Sequence, residues 1–119
     1  MIDPASMIHA IKQDPRYPEC GMILCHNGVV RGRSLSGRPV SALDVKIDRN
    51  RLEDILAEQR QRPGIIDIMA DIREGLLQQG EDIMVVVIAG STRKKALPVL
   101  SEVIDRIKKE VVNETEYFG

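Results

Sequence analysis

Between Asp82 and Gly90 the chain runs Ile-Met-Val-Val-Val-Ile-Ala without a single polar residue. A strand that is apolar at every position has no face to offer to water, so Ile83 to Ala89 belongs at the centre of a sheet, covered on both sides. The rest of the chain has to be arranged around that strand. Gly90-Ser91-Thr92 breaks it, and an amphipathic helix is expected from there to about Val112, with Leu97, Leu100, Ile104, Ile107 and Val111 as its apolar stripe.

Upstream, Asp3-Pro4 opens a short helix with an Asp cap and Pro in the first turn. Met7, Ile8 and Ile11 form its apolar face, and Asp14-Pro15 stops it. Cys20 to Val30 reads as a strand with a bend near Asn27-Gly28, and Gly32 to Pro39 as a flexible basic loop. Ser41 to Ile47 alternates, with Leu43, Val45 and Ile47 on one side and Asp44 and Lys46 on the other, as a half-buried strand does. Asp48 caps a helix to about Arg62 with Leu52, Ile55, Leu56 and Gln59 inward, ended by Pro63-Gly64. Ile65 to Ile72 and Gly75 to Leu77 are strand-like, with a turn around Gly80. Helix, strands, helix, strands, helix in that order predicts an α+β fold with helices packed on one sheet.

At 119 residues the chain fits one domain spanning 1–119. A net charge of -1 gives no global field for nucleic acid or an anionic membrane, so any anion site must be local. Aromatics at 3% argue against a base-stacking surface. No apolar run reaches the roughly 20 residues of a membrane span and no secretory signal is visible, so a cytoplasmic location with both cysteines reduced is expected. Cys25-His26 reads as strand residues rather than a metal site, because a structural zinc takes four ligands and His9 is the only other histidine. No metal or cofactor is expected.

Chemistry concentrates in three places. Gly90-Ser91-Thr92-Arg93-Lys94-Lys95 joins the buried strand to a helix start, where free N–H groups and the dipole favour an anion. Three cations at a helix N-terminus break the usual preference for acids there, which points to Ser91, Thr92, Arg93 and Lys94 as a phosphate seat; a plain Ser/Thr cap with solvated lysines is the alternative. Arg31, Arg33 and Arg38 form a second basic cluster suited to bidentate phosphate contacts, or a solvated loop. Lys108 and Lys109 either complement the helix C-terminus or, if buried, act in proton transfer.

An ordered set of segments then resembles a known family, the large catalytic subunit of molybdopterin synthase. It runs from Gly21-Met22-Ile23-Leu24-Cys25-His26-Asn27-Gly28-Val29-Val30-Arg31 through Ala42-Leu43-Asp44, the Asp48 helix, Ile72-Arg73-Glu74-Gly75-Leu76 and Gly80-Glu81, to the valine strand, Arg93 and Lys108. The match covers roughly residues 20 to 112. The resemblance implies an α/β hammerhead fold, a homodimer, and a small ubiquitin-like sulfur-carrier subunit whose C-terminal thiocarboxylate enters a pocket on the large one. The implied activity is sulfur transfer to a cyclic pyranopterin monophosphate in molybdenum cofactor biosynthesis. It assigns Lys108 as the catalytic lysine and Arg31, Arg73 and Arg93 to anion binding. Arg31, Arg93 and Lys108 are then expected around one pocket. Thr92 and Ile72 stand where the family usually has histidines, and Thr115 where it has a second lysine. Those departures set a second reading beside the first: a non-catalytic relative that binds a phosphorylated pterin or other small anion, or regulates a partner. A purely structural dimerisation partner is a third.

Overall fold

A computed structural model describes residues 3–119. The elements are α1 (Pro4–Lys12), a 3-10 turn (Tyr17–Glu19), β1 (Met22–Val29), β2 (Val40–Ile47), α2 (Arg49–Arg60), β3 (Ile65–Ile72), β4 (Gly75–Gln78), β5 (Asp82–Gly90), α3 (Arg93–Arg106), a π turn (Ile107–Val111) and β6 (Val112–Phe118). Mixed helices on antiparallel strands is the fold class the sequence implies. The strands form two sheets rather than one, ordered β1-β5-β3 and β4-β2-β6, every pair antiparallel.

The valine run is the middle strand of the first sheet, and Val85 to Ala89 are all 0% exposed. Its alternate side chains enter different layers. Met84, Val86 and Ile88 pack with α2, α3 and residues of β2 and β4, including Val45 and Leu77. Val85, Val87 and Ala89 pack under Met7 and Ile11 of α1. One strand thus serves two cores, which is why every position from Ile83 to Ala89 is apolar.

Caps form where the side chains allow them. The carboxylates of Asp3 and Asp48 accept from Ala5 N and Arg51 N, and the Thr92 hydroxyl accepts from Lys95 N at 3.3 Å. Leu52, Ile55, Leu56 and Gln59 are the buried residues of α2. The expected bend in β1 is present as a register shift between Gly28 and Val29.

The stripe on α3 is turned from its expected phase. Ala96, Val99 and Val103 face the core, continued by Ile107 and Val111, while Leu97 is 51% exposed. The cause is a close approach: a Cβ on Gly90 would lie 2.8 Å from the Ala96 Cβ. The small pair lets the first turn of α3 settle against the end of β5, so the small residue points inward and Leu97 outward. Gly32 to Pro39 is an ordered turn, with Ser34 N donating to Arg38 O, Gly37 N to Ser34 O, and Arg33 bridged to Pro39.

Beyond the helix, where no element was expected, β6 pairs with β2 from Ile47↔Val112 to Val40↔Phe118. The Cα trace measures 49 × 24 × 24 Å.

Candidate functional site

The site begins with the π turn. A wide turn inside or at the end of an α-helix recurs at functional positions, because it re-aims the side chains that follow. Here it carries Lys108. Two residues on, Glu110 points the other way, as residues two apart on a helical turn must. Glu110 accepts from Arg51 Nε of α2 at 3.0 Å and from Arg106 Nε at 2.8 Å, and Arg106 also bonds Glu58 of α2. The two guanidinium groups, Arg106 first, hold the Glu110 carboxyl down at about 2. These ion pairs fasten the turn to α2 on one side, while Lys108 on the other is exposed rather than buried and has no ion-pair partner among the described residues.

Lys108 lines a cavity of about 170 Å³ together with His26 of β1 and Arg31 just beyond it. The walls are apolar, built from Val30, Val40, Leu43 and Met84 among others. Glu114 and Glu116 of β6 complete it. Outside it lies a wider space of about 520 Å³ that shares Arg31, Lys108, Glu114 and Glu116 and adds Arg33, Ser34, Arg38 and Phe118. Only the outer space reaches the roughly 300–1,000 Å³ of typical small-molecule sites, so the two together form a vestibule and an apolar inner recess.

Strand geometry explains the carboxylates. Glu116 pairs with Leu43 and Glu114 with Val45, and paired residues share a face, so both acids stand on the core side of β2. Phe118 follows on the same face, its ring 3.9 Å beneath the Arg38 guanidinium. Arg33 donates to Gly37 O of its own loop at 3.0 Å. Arg31 has no such partner among the described residues and stays exposed at the boundary of the two spaces. Burial first, then the nearby Lys108 charge, push the His26 imidazole below its ordinary 6.5.

Comparison with known proteins gives the chain's family. The family description "MoaE protein" matches residues 1–110. The chain belongs to that family. It is 27% identical over 111 residues to a probable molybdopterin synthase of Haloferax volcanii, covering 89% of this chain but 42% of the relative, so it spans less than half the length of that protein. It is 29% identical over 114 residues to the molybdopterin synthase catalytic subunit of Thermoplasma volcanium, covering 92% of this chain and 80% of the relative. Among solved structures it is similar to molybdopterin cofactor biosynthesis protein E of Burkholderia multivorans, with TM-score 0.77, 28% identity, and coverage of 99% of this chain and 82% of that one.

Of the residues named from the sequence of this MoaE family member, Arg31 and Lys108 come together. Arg93 does not join them within one chain. It opens α3 while Lys108 follows its end, and at 1.5 Å per residue that is on the order of 20 Å. The expectation of a single pocket made by all three is corrected to a pair plus a distant third. Ser91, Thr92 and Lys94 stay with Arg93: Thr92 is the helix cap, Ser91 N donates to Gly64 O at 2.8 Å, and Lys94 is exposed. Arg73 sits at the turn between β3 and β4, 4.0 Å from Glu81. Lys109 is exposed and lines neither space. The sequence reading missed His26, Glu114 and Glu116. The only available signal for the acids was the alternation Val112, Glu114, Glu116, Phe118, which is weak because acidic residues are poor strand formers.

Proposed function

We propose that this chain acts in molybdenum cofactor biosynthesis as the large subunit of a molybdopterin synthase, transferring sulfur from the C-terminal thiocarboxylate of a small ubiquitin-like partner to a cyclic pyranopterin monophosphate. The observation that carries this reading is the meeting of Arg31 and Lys108, distant in sequence, at one apolar-walled cavity. Arg31 is the phosphate-binding group, since its planar fork suits phosphate oxygens. Lys108 offers an ammonium to developing negative charge and a site for proton transfer. The vestibule admits the pterin and its phosphate, with the apolar recess beside it.

The proposed active form is a homodimer carrying one small subunit per protomer. Two short sheets leave β1, β3, β4 and β6 as edge strands, a liability unless paired or covered. Pairing would also offer the Arg93 cluster a route to the pocket of a second copy. The decisive experiment is conversion of the pterin precursor by the purified chain with a thiocarboxylated small subunit. Formation of the dithiolene product supports the reading, and its absence with both partners present ends it.

A second reading is favoured by Glu114 and Glu116. They put two negative charges opposite Arg31 and Lys108, where the related family has a further lysine nearby in sequence. A chain that holds a phosphorylated pterin without turning it over would bind in calorimetry, lose binding in Arg31→Ala, and give no product.

A further inference from the structure

Polar groups are sorted between the two spaces. Arg31, Lys108, Glu114 and Glu116 line both, so every charge stands at their shared boundary. His26 lines the inner recess alone, and among the described residues it is the one polar side chain that does. It is half-buried on β1. Residues two apart on a strand share a face, so its ring lies along β1 beside Gly28. A Cβ on Gly28 would stand 3.4 Å from the His26 Nε2, and the glycine thus leaves open the space around that nitrogen. The imidazole is perturbed by burial first and then by the Lys108 charge, and no hydrogen bond to a protein group contributes. Both causes keep the ring neutral near neutral pH, with one nitrogen a donor and the other an acceptor. No side-chain nitrogen or oxygen among the described residues is both buried and unpartnered, so the ring nitrogens remain open to the cavity.

We propose that His26 is a substrate-binding residue that recognises the ring end of the ligand: through Nε2 it makes a hydrogen bond with a polar atom of the heterocycle in the recess, while Arg31 holds the phosphate at the boundary. The identity of the ligand rests on the molybdopterin synthase reading. A phosphate pushed into the recess would exchange its water for the side chains of Val30, Leu43 and Met84, a heavy cost for a charge. The ring end bears no such charge and its carbon skeleton suits those walls. Its N–H and C=O groups still need partners, because a buried donor or acceptor left unpaired loses the full cost of its desolvation. His26 is the side chain placed to supply one. At about 170 Å³ the recess is below the size of a whole small-molecule site, as expected if it takes one end of the substrate and the wider space takes the other.

The test is calorimetric binding of the cyclic pyranopterin monophosphate to the full chain and to two variants, each first checked for an unchanged urea midpoint. His26→Phe keeps an aromatic ring against the apolar wall but has no donor or acceptor, and it should bind roughly tenfold more weakly. His26→Gln keeps both a donor and an acceptor and should stay within about threefold of wild type. A residue that merely fills the recess predicts the reverse order, with Phe tolerated and Gln costly. That order, or wild-type affinity in His26→Phe, overturns the proposal while dithiolene formation by the wild type keeps the sulfur-transfer reading. The expected order in a chain that forms no dithiolene supports the contact and ends the sulfur-transfer reading. A wild-type chain that does not bind the precursor overturns both.

Discussion

Lys108 and Arg31 should fail in different ways when removed. Arg31→Ala takes away a bidentate anion contact and is expected to weaken binding of a phosphorylated pterin roughly tenfold or more, read by calorimetry. Glu114→Gln and Glu116→Gln should do the opposite. Each removes a like charge from the path of an anion, and affinity should rise by about two- to fivefold, less at high salt. These residues also mark what the sequence discloses at this scale. Arg31 stood out in the sequence as part of a basic loop suited to phosphate, whereas Lys108, which near a helix C-terminus reads as a complement to the dipole, was singled out only by the family resemblance. His26 was not, because a lone histidine in an apolar strand reads equally well as filler, and only the fold brings Lys108 beside it.

At the level of elements, the clamp on the π turn should be visible in acid. The Glu110 carboxyl ordinarily titrates at 4.5 and is held at about 2 in the folded chain. A carboxylate with a lowered folded value contributes its stability in full above the unfolded value and loses it as pH falls toward the folded one. The difference in urea midpoint between wild type and Glu110→Gln should therefore be largest above about pH 4.5 and fade toward pH 2. Gly21 offers a second check. A Cβ there would lie 2.2 Å from the Ser91 carbonyl oxygen, a backbone atom that cannot swing aside. Gly21→Ala should cost about 1–3 kcal/mol in urea unfolding. The elements with strong local signals were readable: the valine strand by its composition, α2 by its Asp48 cap and apolar spacing. The phase of α3 was not, because it is set by Gly90 meeting Ala96 rather than by hydropathy. Strand β6 was not either, since a polar, acidic segment gains its strand form from the ladder with β2.

For the molecule as a whole, pairing of two sheets depends on contacts far apart in the chain, which is why one sheet was expected and two are present. The homodimer proposed above makes its own predictions at this scale. Light scattering at micromolar concentration should give twice the chain mass, and monomer alone would count against the dimer. Arg93→Ala should then weaken pterin binding although Arg93 lies far from the pocket of its own chain. The most direct test of the central claim is the rate of dithiolene formation by Lys108→Ala against wild type, with thiocarboxylated partner and precursor both saturating. A fall of roughly 10²–10⁴-fold with precursor binding kept within a few fold is the predicted result. A Lys108→Ala chain that turns over as fast as the wild type would contradict it.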